Sequence, residues 1–91
     1  MTQAFYSDAA EAVVRRDLTP SEQAAVEAVR KSLELDPDPA HARGLPDADP
    51  LSESYAIELL PEQTGGRGIS VVYRYVQDLD ACLISWIIAG P

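Results

Sequence analysis

The segment that decides the fold runs from Ile69 to Ile88 and reads ISVVYRYVQDLDACLISWII. Two runs rich in β-branched and aromatic residues flank the polar stretch QDLD, which predicts two strands joined by a short turn. Strict alternation along each run places apolar residues on both faces of this hairpin. The C-terminal half of the chain is therefore expected to form an antiparallel sheet.

The two helices predicted below can cover only one face of such a sheet. The apolar residues that alternation assigns to the other face are Val72, Val76, Leu83 and Ile87. An exposed apolar patch of this kind often marks a subunit or partner interface. The alternative is that the proline-rich segment further upstream folds over it. We take these four residues as the candidate binding set.

A third strand precedes the hairpin, because Ser54 to Leu60 alternates Tyr55, Ile57 and Leu59 with smaller or charged residues. Pro61 and the run Thr64-Gly65-Gly66-Arg67-Gly68 then predict a long hairpin turn into the next strand.

Two helices are predicted upstream of the sheet. The first runs from Ala9 to Asp17, with Asp8 as the expected cap at its start. The second begins at Pro20 after the hydroxyl of Thr19 and ends near Leu35, because Asp36 stands before a proline. Together they predict a helix hairpin. A short first strand over Gln3 to Tyr6 is the weakest feature of this pattern.

Residues 36–50 contain four prolines and four aspartates and predict a linker without a helix or a central strand. The expected fold is therefore a single α+β domain over residues 1–91. Its N-terminal helix hairpin packs on a C-terminal antiparallel sheet of three to four strands, with the linker between them.

Composition restricts the class of function. Fifteen acidic residues against seven basic ones give a net charge of −8, which disfavours general binding to a phosphate backbone. The single cysteine, Cys82, forms no internal disulfide and no zinc site by itself. The longest apolar run is far shorter than the roughly 20 residues of a membrane helix. With no leader pattern at the N-terminus, the sequence predicts a cytoplasmic protein with no cofactor, no bound metal and no membrane contact.

Four short motifs, in this order, resemble the RelE/ParE toxin superfamily of toxin–antitoxin systems. Tyr6-Ser7-Asp8-Ala9-Ala10 is similar to the family's entry from strand to helix. Leu33-Glu34-Leu35-Asp36-Pro37 resembles its helix exit, and Gly68 to Tyr75 resembles its central strand. Asp80 to Gly90 looks like the closing strand, so the resemblance spans nearly the whole chain. It implies an α+β toxin fold that is held inactive by an antitoxin wrapped around it.

Members of that superfamily either cut messenger RNA or poison DNA gyrase, and the sequence departs from the nuclease members. Ser70 stands where their strand arginine is expected, and Ala89 or Gly90 stands where a histidine or arginine is expected. Nothing in the sequence corresponds to their terminal tyrosine. The only candidate catalytic residues are Arg67, Arg74 and Tyr73. His41 lies in the proline-rich linker, where a general acid would lack a rigid frame.

Three functions follow from these expectations. The first is a toxin-type protein that acts by protein binding and pairs with an antitoxin-like partner. The second is a non-toxic, homodimeric interaction module on the same fold. The third is a weak ribonuclease centred on Arg74. The missing nuclease residues and the acidic charge favour a non-enzymatic role.

Overall fold

The computed structural model of the chain describes residues 2–35, 43–45 and 52–90. The protein is an α+β domain, as expected from the sequence. Its elements, in chain order, are β1 (Gln3–Tyr6), α1 (Asp8–Arg16), α2 (Pro20–Leu35), β2 (Arg43–Leu45), β3 (Ser52–Leu59), α3 (Pro61–Thr64), β4 (Ile69–Val76) and β5 (Ala81–Ala89), with a single 3₁₀ turn over Gln77–Leu79.

Within the described residues, the sheet has five strands in the order β1-β5-β4-β3-β2. Strands β2 to β5 pair antiparallel, whereas β1 pairs parallel to the first half of β5. The expectation of a purely antiparallel sheet with three to four strands was therefore wrong on two counts. The short N-terminal strand predicted over Gln3 to Tyr6 is present but pairs parallel to β5, and a further strand is added at the opposite edge.

That further strand, β2, lies within the segment expected to be a plain linker. It pairs with β3 through Arg43 and Ala56, Gly44 and Tyr55, and Leu45 and Ser54. It is three residues long and occupies the outermost position in the sheet, which is where a strand next to Pro46 is tolerated. The other residues of the predicted linker, 36–42 and 46–50, lie outside the described residues.

Local hydrogen bonds explain where the helices begin. Ser7, rather than Asp8, caps α1, because its Oγ accepts the Ala10 N–H at 3.1 Å. At the start of α2, Glu22 accepts the Thr19 N–H at 2.8 Å, and its own N–H donates to Thr19 Oγ1 at 3.3 Å. This reciprocal capping box confirms the start predicted for the second helix.

The segment expected to be an open hairpin turn contains a helix instead. Pro61 occupies the first turn of α3, and Gly65 ends it with φ of 72°, a left-handed conformation that glycine adopts without strain. The short helix contacts α2, so the connection between β3 and β4 is part of the packed structure.

The core lies between the two long helices and one face of the sheet, which we call the inner face. Val26, Val29 and Leu33 of α2 are buried there together with the inner residues of the strands. Tyr73 is fully buried, and its ring packs against that of Tyr55 with centroids 5.5 Å apart. None of the helices in the described part of the chain has the length and the apolar composition that a membrane span requires.

Candidate functional site

A β-bulge at Ser85 divides β5 into two halves that differ in their side-chain alternation. Tyr73 of β4 lies opposite Ile84, whereas the preceding residue, Val72, lies opposite Trp86, so Ser85 is the extra residue. Side chains before the bulge alternate in one phase and those after it in the other. The sequence-based assignment of faces is therefore correct as far as Ile84 and inverted beyond Ser85.

This inversion corrects one member of the candidate binding set. Ile87 was expected on the uncovered face, but only 2% of it is exposed, and it packs in the core. Trp86 and Ile88 were expected on the inner face with Cys82, but they point away from the helices. The physical reason is that one inserted residue shifts a period-two pattern by one position.

The face opposite the core, which we call the outer face, carries four large apolar residues near the β1 end of the sheet. Phe5 and Leu83 lie side by side across the parallel β1–β5 pair, and Trp86 and Ile88 follow along β5. Their exposed fractions are 51%, 39%, 49% and 51% respectively. We call Phe5, Leu83, Trp86 and Ile88 the outer patch. Among the described residues, neither long helix lies over it.

Val72 and Val76 also lie on the outer face, as predicted, and both are half-buried. Val72 pairs directly with Trp86, so it extends the outer patch from β5 onto β4. Three of the four predicted binding residues are thus on the expected face. The sequence analysis missed Phe5, whose strand gave only a weak signal, and the bulge concealed Trp86 and Ile88.

The second half of β5 is also a free edge of the sheet within the described residues. β1 pairs only with the segment Ala81–Ile84. It ends at Ser7, whose N–H donates to Ile84 O at 2.8 Å and whose Oγ donates to Ser85 O at 2.9 Å. Beyond Ser85 the chain of β1 has turned away into α1. The segment from Trp86 to Ala89 therefore has a paired strand on one side only.

The hydrogen-bond phase of β5 shows which backbone groups face this edge. Gly90 donates its N–H to Gly68 O at 2.8 Å across β4. Antiparallel strands exchange hydrogen bonds at alternate residue pairs, so Ile88 belongs to the same set as Gly90. The N–H and C=O groups of Ile87 and Ala89 consequently point toward the free edge.

A groove of about 530 Å³ lies beside this edge. It is lined by Val13, Arg16 and Asp17 at the end of α1, by Arg67, and by β5 residues Trp86 to Ala89. Arg16 and Asp17 are both exposed, so the rim carries one cation and one carboxylate. The groove thus combines edge backbone groups, apolar side chains and both signs of charge.

Arg67 reaches the groove from a structural ion pair with Glu22, which is 1% exposed. Its Nη2 and Nε donate to the two carboxylate oxygens of Glu22 at 3.0 and 3.1 Å, and its backbone N–H donates to Oε2 at 2.9 Å. Arg67 Nη2 also donates to Asp17 O at 2.6 Å. These bonds tie α2 to the turn before β4 and to the end of α1.

The Arg67–Glu22 ion pair, which we call the clamp, is stabilised in its charged form. Hydrogen bonds from Arg67 and Thr19 hold the pKa of the Glu22 carboxyl well below its usual range. The hydrogen bond to Glu22 in turn raises the pKa of Arg67. A Cβ at Gly66 would lie 2.7 Å from Glu22 Oε2, so a larger residue there would displace the carboxylate from its place beside Arg67. Arg67 is therefore engaged in holding the fold together.

The structure does not bring the three candidate catalytic residues together. Tyr73 is fully buried on the inner face, and Arg74 points to the outer face from the adjacent position in β4. Arg67 lies before β4 in the clamp with Glu22. No common point on the surface is accessible to all three, so they form no shared phosphate site.

Metal binding finds no support in the described part of the chain, where no group of three histidine, cysteine or carboxylate residues could hold an ion. His41 and the aspartates of the linker lie outside the described residues. Cys82 is fully buried, and burial raises the pKa of its thiol to about 11, so it is an unreactive core residue.

Compared with known proteins, the chain matches no family model, no curated protein and no solved structure. The features that bear on function are therefore the outer patch, the free edge and the motifs in the sequence.

Proposed function

We propose that the chain is a toxin-type protein of the RelE/ParE kind that acts by binding another protein rather than by cutting RNA. The observation that supports this most strongly is the outer patch. Four large apolar side chains lie on one face of the sheet, and each is 39% to 51% exposed. Single apolar residues scattered over a surface are normal, whereas a contiguous patch of this kind marks an interaction site. The resemblance of the sequence motifs to that superfamily supplies the class.

The arrangement of the arginines favours binding over catalysis. Cleavage of RNA needs positive charge and a proton donor aimed at one phosphate. Arg67 is held by Glu22, and Tyr73 lies in the core on the other face of the sheet from Arg74. A ribonuclease centred on Arg74 would therefore lack a neighbouring tyrosine donor.

The partner proposed for this function is an antitoxin-like protein that covers the outer patch with apolar side chains. Covering such a patch would remove half-exposed aromatic and aliphatic surface from water, which is the main source of stability in most protein interfaces. The net charge of −8 would assist a partner segment with basic residues around its apolar centre.

The second candidate function is a non-toxic, homodimeric interaction module on the same fold. The specific observation in its favour is the free edge of β5, which can pair with a strand from another molecule. The acidic charge fits this candidate as well, because toxins of this superfamily are usually basic.

Tightly induced expression of the chain in a host culture tests the toxin proposal. We expect growth arrest with intact RNA, relieved by Leu83→Lys, which places a charge in the outer patch. Leu79→Lys is the matched control, because Leu79 is 74% exposed and lies in the 3₁₀ turn outside the patch. This control should arrest growth as the unchanged chain does.

Normal growth at a confirmed soluble level would contradict the toxin proposal and leave the interaction module. Degraded RNA that becomes intact with Arg74→Ala would instead establish the ribonuclease. Arrest that persists with Leu83→Lys would show that the outer patch is not the surface that acts.

A further inference from the structure

The free half of β5 is an unusual feature for the edge of a sheet. Exposed strand edges are normally protected by charges, prolines or short length, because their backbone groups pair readily with another chain. Here the neighbours of Ile87, whose backbone groups point toward the edge, are Trp86 and Ile88, and each of these is about half exposed. This edge is therefore apolar as well as unpaired among the described residues.

We propose that this edge binds the same edge of a second copy of the chain, with the two β5 strands antiparallel about a twofold axis at Ile87. The N–H and C=O of Ile87 face outward, so the two copies of Ile87 form a hydrogen-bonded pair. The two five-stranded sheets then become one continuous sheet across the axis. An interface of this type presents the same surface on both molecules.

The side chains fit this register on the outer face of the sheet. Antiparallel pairing about Ile87 places Trp86 of each copy opposite Ile88 of the other. Aromatic and β-branched residues form favourable cross-strand pairs. Each of these two exposed residues thereby has one side covered by its cross-strand neighbour in the other copy.

Charge on the groove rim is also self-complementary, because Arg16 and Asp17 offer both signs to a second copy. Over longer distances the two copies repel, since each carries a net charge of −8. Salt screens exposed charges over about 8–10 Å at moderate ionic strength. Association at an apolar edge between two acidic molecules is consequently expected to become stronger as salt is added.

Self-association at this edge does not depend on toxicity. The dimer specifies the interface of the second candidate function, and it shares Trp86 and Ile88 with the outer patch. The growth assay changes Leu83, which pairs with Phe5 of β1 and lies outside the proposed dimer interface. A negative result in the growth assay therefore does not contradict the dimer, and the absence of a dimer does not contradict the toxin proposal.

The test is sedimentation equilibrium of the purified chain over a range of protein and salt concentrations. We expect a monomer–dimer equilibrium that moves toward dimer with salt. Trp86→Lys alone and Ile88→Glu alone should each weaken dimerisation by about tenfold or more, because each puts an unmatched charge twice into the interface. Leu79→Lys and Leu79→Glu are the matched controls and should change it little.

Mixing the two variants tests the register itself. A twofold axis at Ile87 places the introduced lysine of the Trp86→Lys copy opposite the introduced glutamate of the Ile88→Glu copy. The native Trp86–Ile88 pair is left intact on the other side of the axis. The mixture should recover dimers that neither variant forms alone, whereas the mixed Leu79 variants should behave like the unchanged chain.

A monomer at every concentration and salt level would overturn the proposal. Dimers that are insensitive to both β5 variants, or a mixture that fails to recover them, would also overturn it.

Discussion

The two halves of β5 belong to one strand but differ in how many neighbouring strands they pair with. The first half, Ala81–Ile84, lies between β1 and β4 and has strands paired on both sides. The second half, from Ser85 to Ala89, has β4 alone beside it among the described residues. Cys82 and Ile84 in the first half are fully buried, whereas Trp86 and Ile88 in the second are half exposed.

The difference shows what the bulge at Ser85 does. It turns Ile87 into the core and directs Trp86 and Ile88 to the outer face, and it coincides with the point where β1 leaves the sheet. Bulges are common where a strand changes pairing or re-aims side chains. The same residue therefore ends the two-sided pairing and creates the apolar edge.

The largest expected effect separates the halves by stability. Ile84→Ala removes a fully buried side chain from the core and should lower the free energy of unfolding by about 2–5 kcal/mol. Ile88→Ala, the same change in the free half, should lower it by less than about 1 kcal/mol in the monomer. Urea unfolding of both variants at low protein concentration measures the difference. Equal losses would contradict the assignment of the two faces.

A second test concerns the clamp beside the free half. The folded-state pKa of Glu22 is lowered from its ordinary 4.5, so its charge stabilises the fold above that pH and the contribution is lost as the pH falls. Glu22→Gln should be less stable than the unchanged chain at neutral pH. The gap should narrow as the pH falls below about 4, because the Glu22 carboxyl takes up a proton in the unfolded chain while it stays ionised in the folded one.

Thermal unfolding of the two chains across this pH range checks the prediction. Thr19→Ala is a suitable control, because it removes a bond to the same cap without removing the charge. A gap that stays constant with pH would show that the Glu22 carboxylate contributes through packing alone.

Deletion of Ser85 removes the bulge itself. The residues on either side, Ile84 and Trp86, already lie opposite successive residues of β4, so the strand should close into regular alternation with its faces unchanged. We expect a folded protein that loses about 1 kcal/mol with the Ser7 Oγ–Ser85 O hydrogen bond. Trp86 fluorescence should still report an exposed ring, and a buried, blue-shifted ring would contradict the register.

The last test leaves stability almost unchanged and compares how fast a cysteine in each half of β5 reacts with a thiol reagent. The Cys82 thiol is buried and its pKa is raised to about 11, so at about pH 8 it should react with a thiol reagent only when the protein opens. A cysteine introduced by Ile88→Cys should react at the rate of an exposed thiol. Rapid labelling of Cys82 in the native chain would place an opening in the paired half.

Much of the fold follows from local sequence patterns, but the site depends on features that alternation does not contain. The start of α2 after Thr19 and the turn between β4 and β5 are set by nearby residues, and both were predicted. The bulge could not be predicted, because apolar residues on both sides of Ser85 fit either phase of alternation. β1 pairs with β5, and Arg67 pairs with Glu22. Both partners are distant in sequence, so local sequence patterns could not indicate them.

Hydrogen exchange of individual β5 amides, followed by NMR at increasing protein concentration, distinguishes the paired half of β5 from a free edge that binds a second copy. The Ile84 amide, which faces β1, should be protected at every concentration. The Ile87 and Ala89 amides should exchange quickly in dilute protein and gain protection as the concentration rises. Protection of Ile87 equal to that of Ile84 in dilute protein, or no protection of Ile87 at any concentration, would contradict a free edge that binds a second copy.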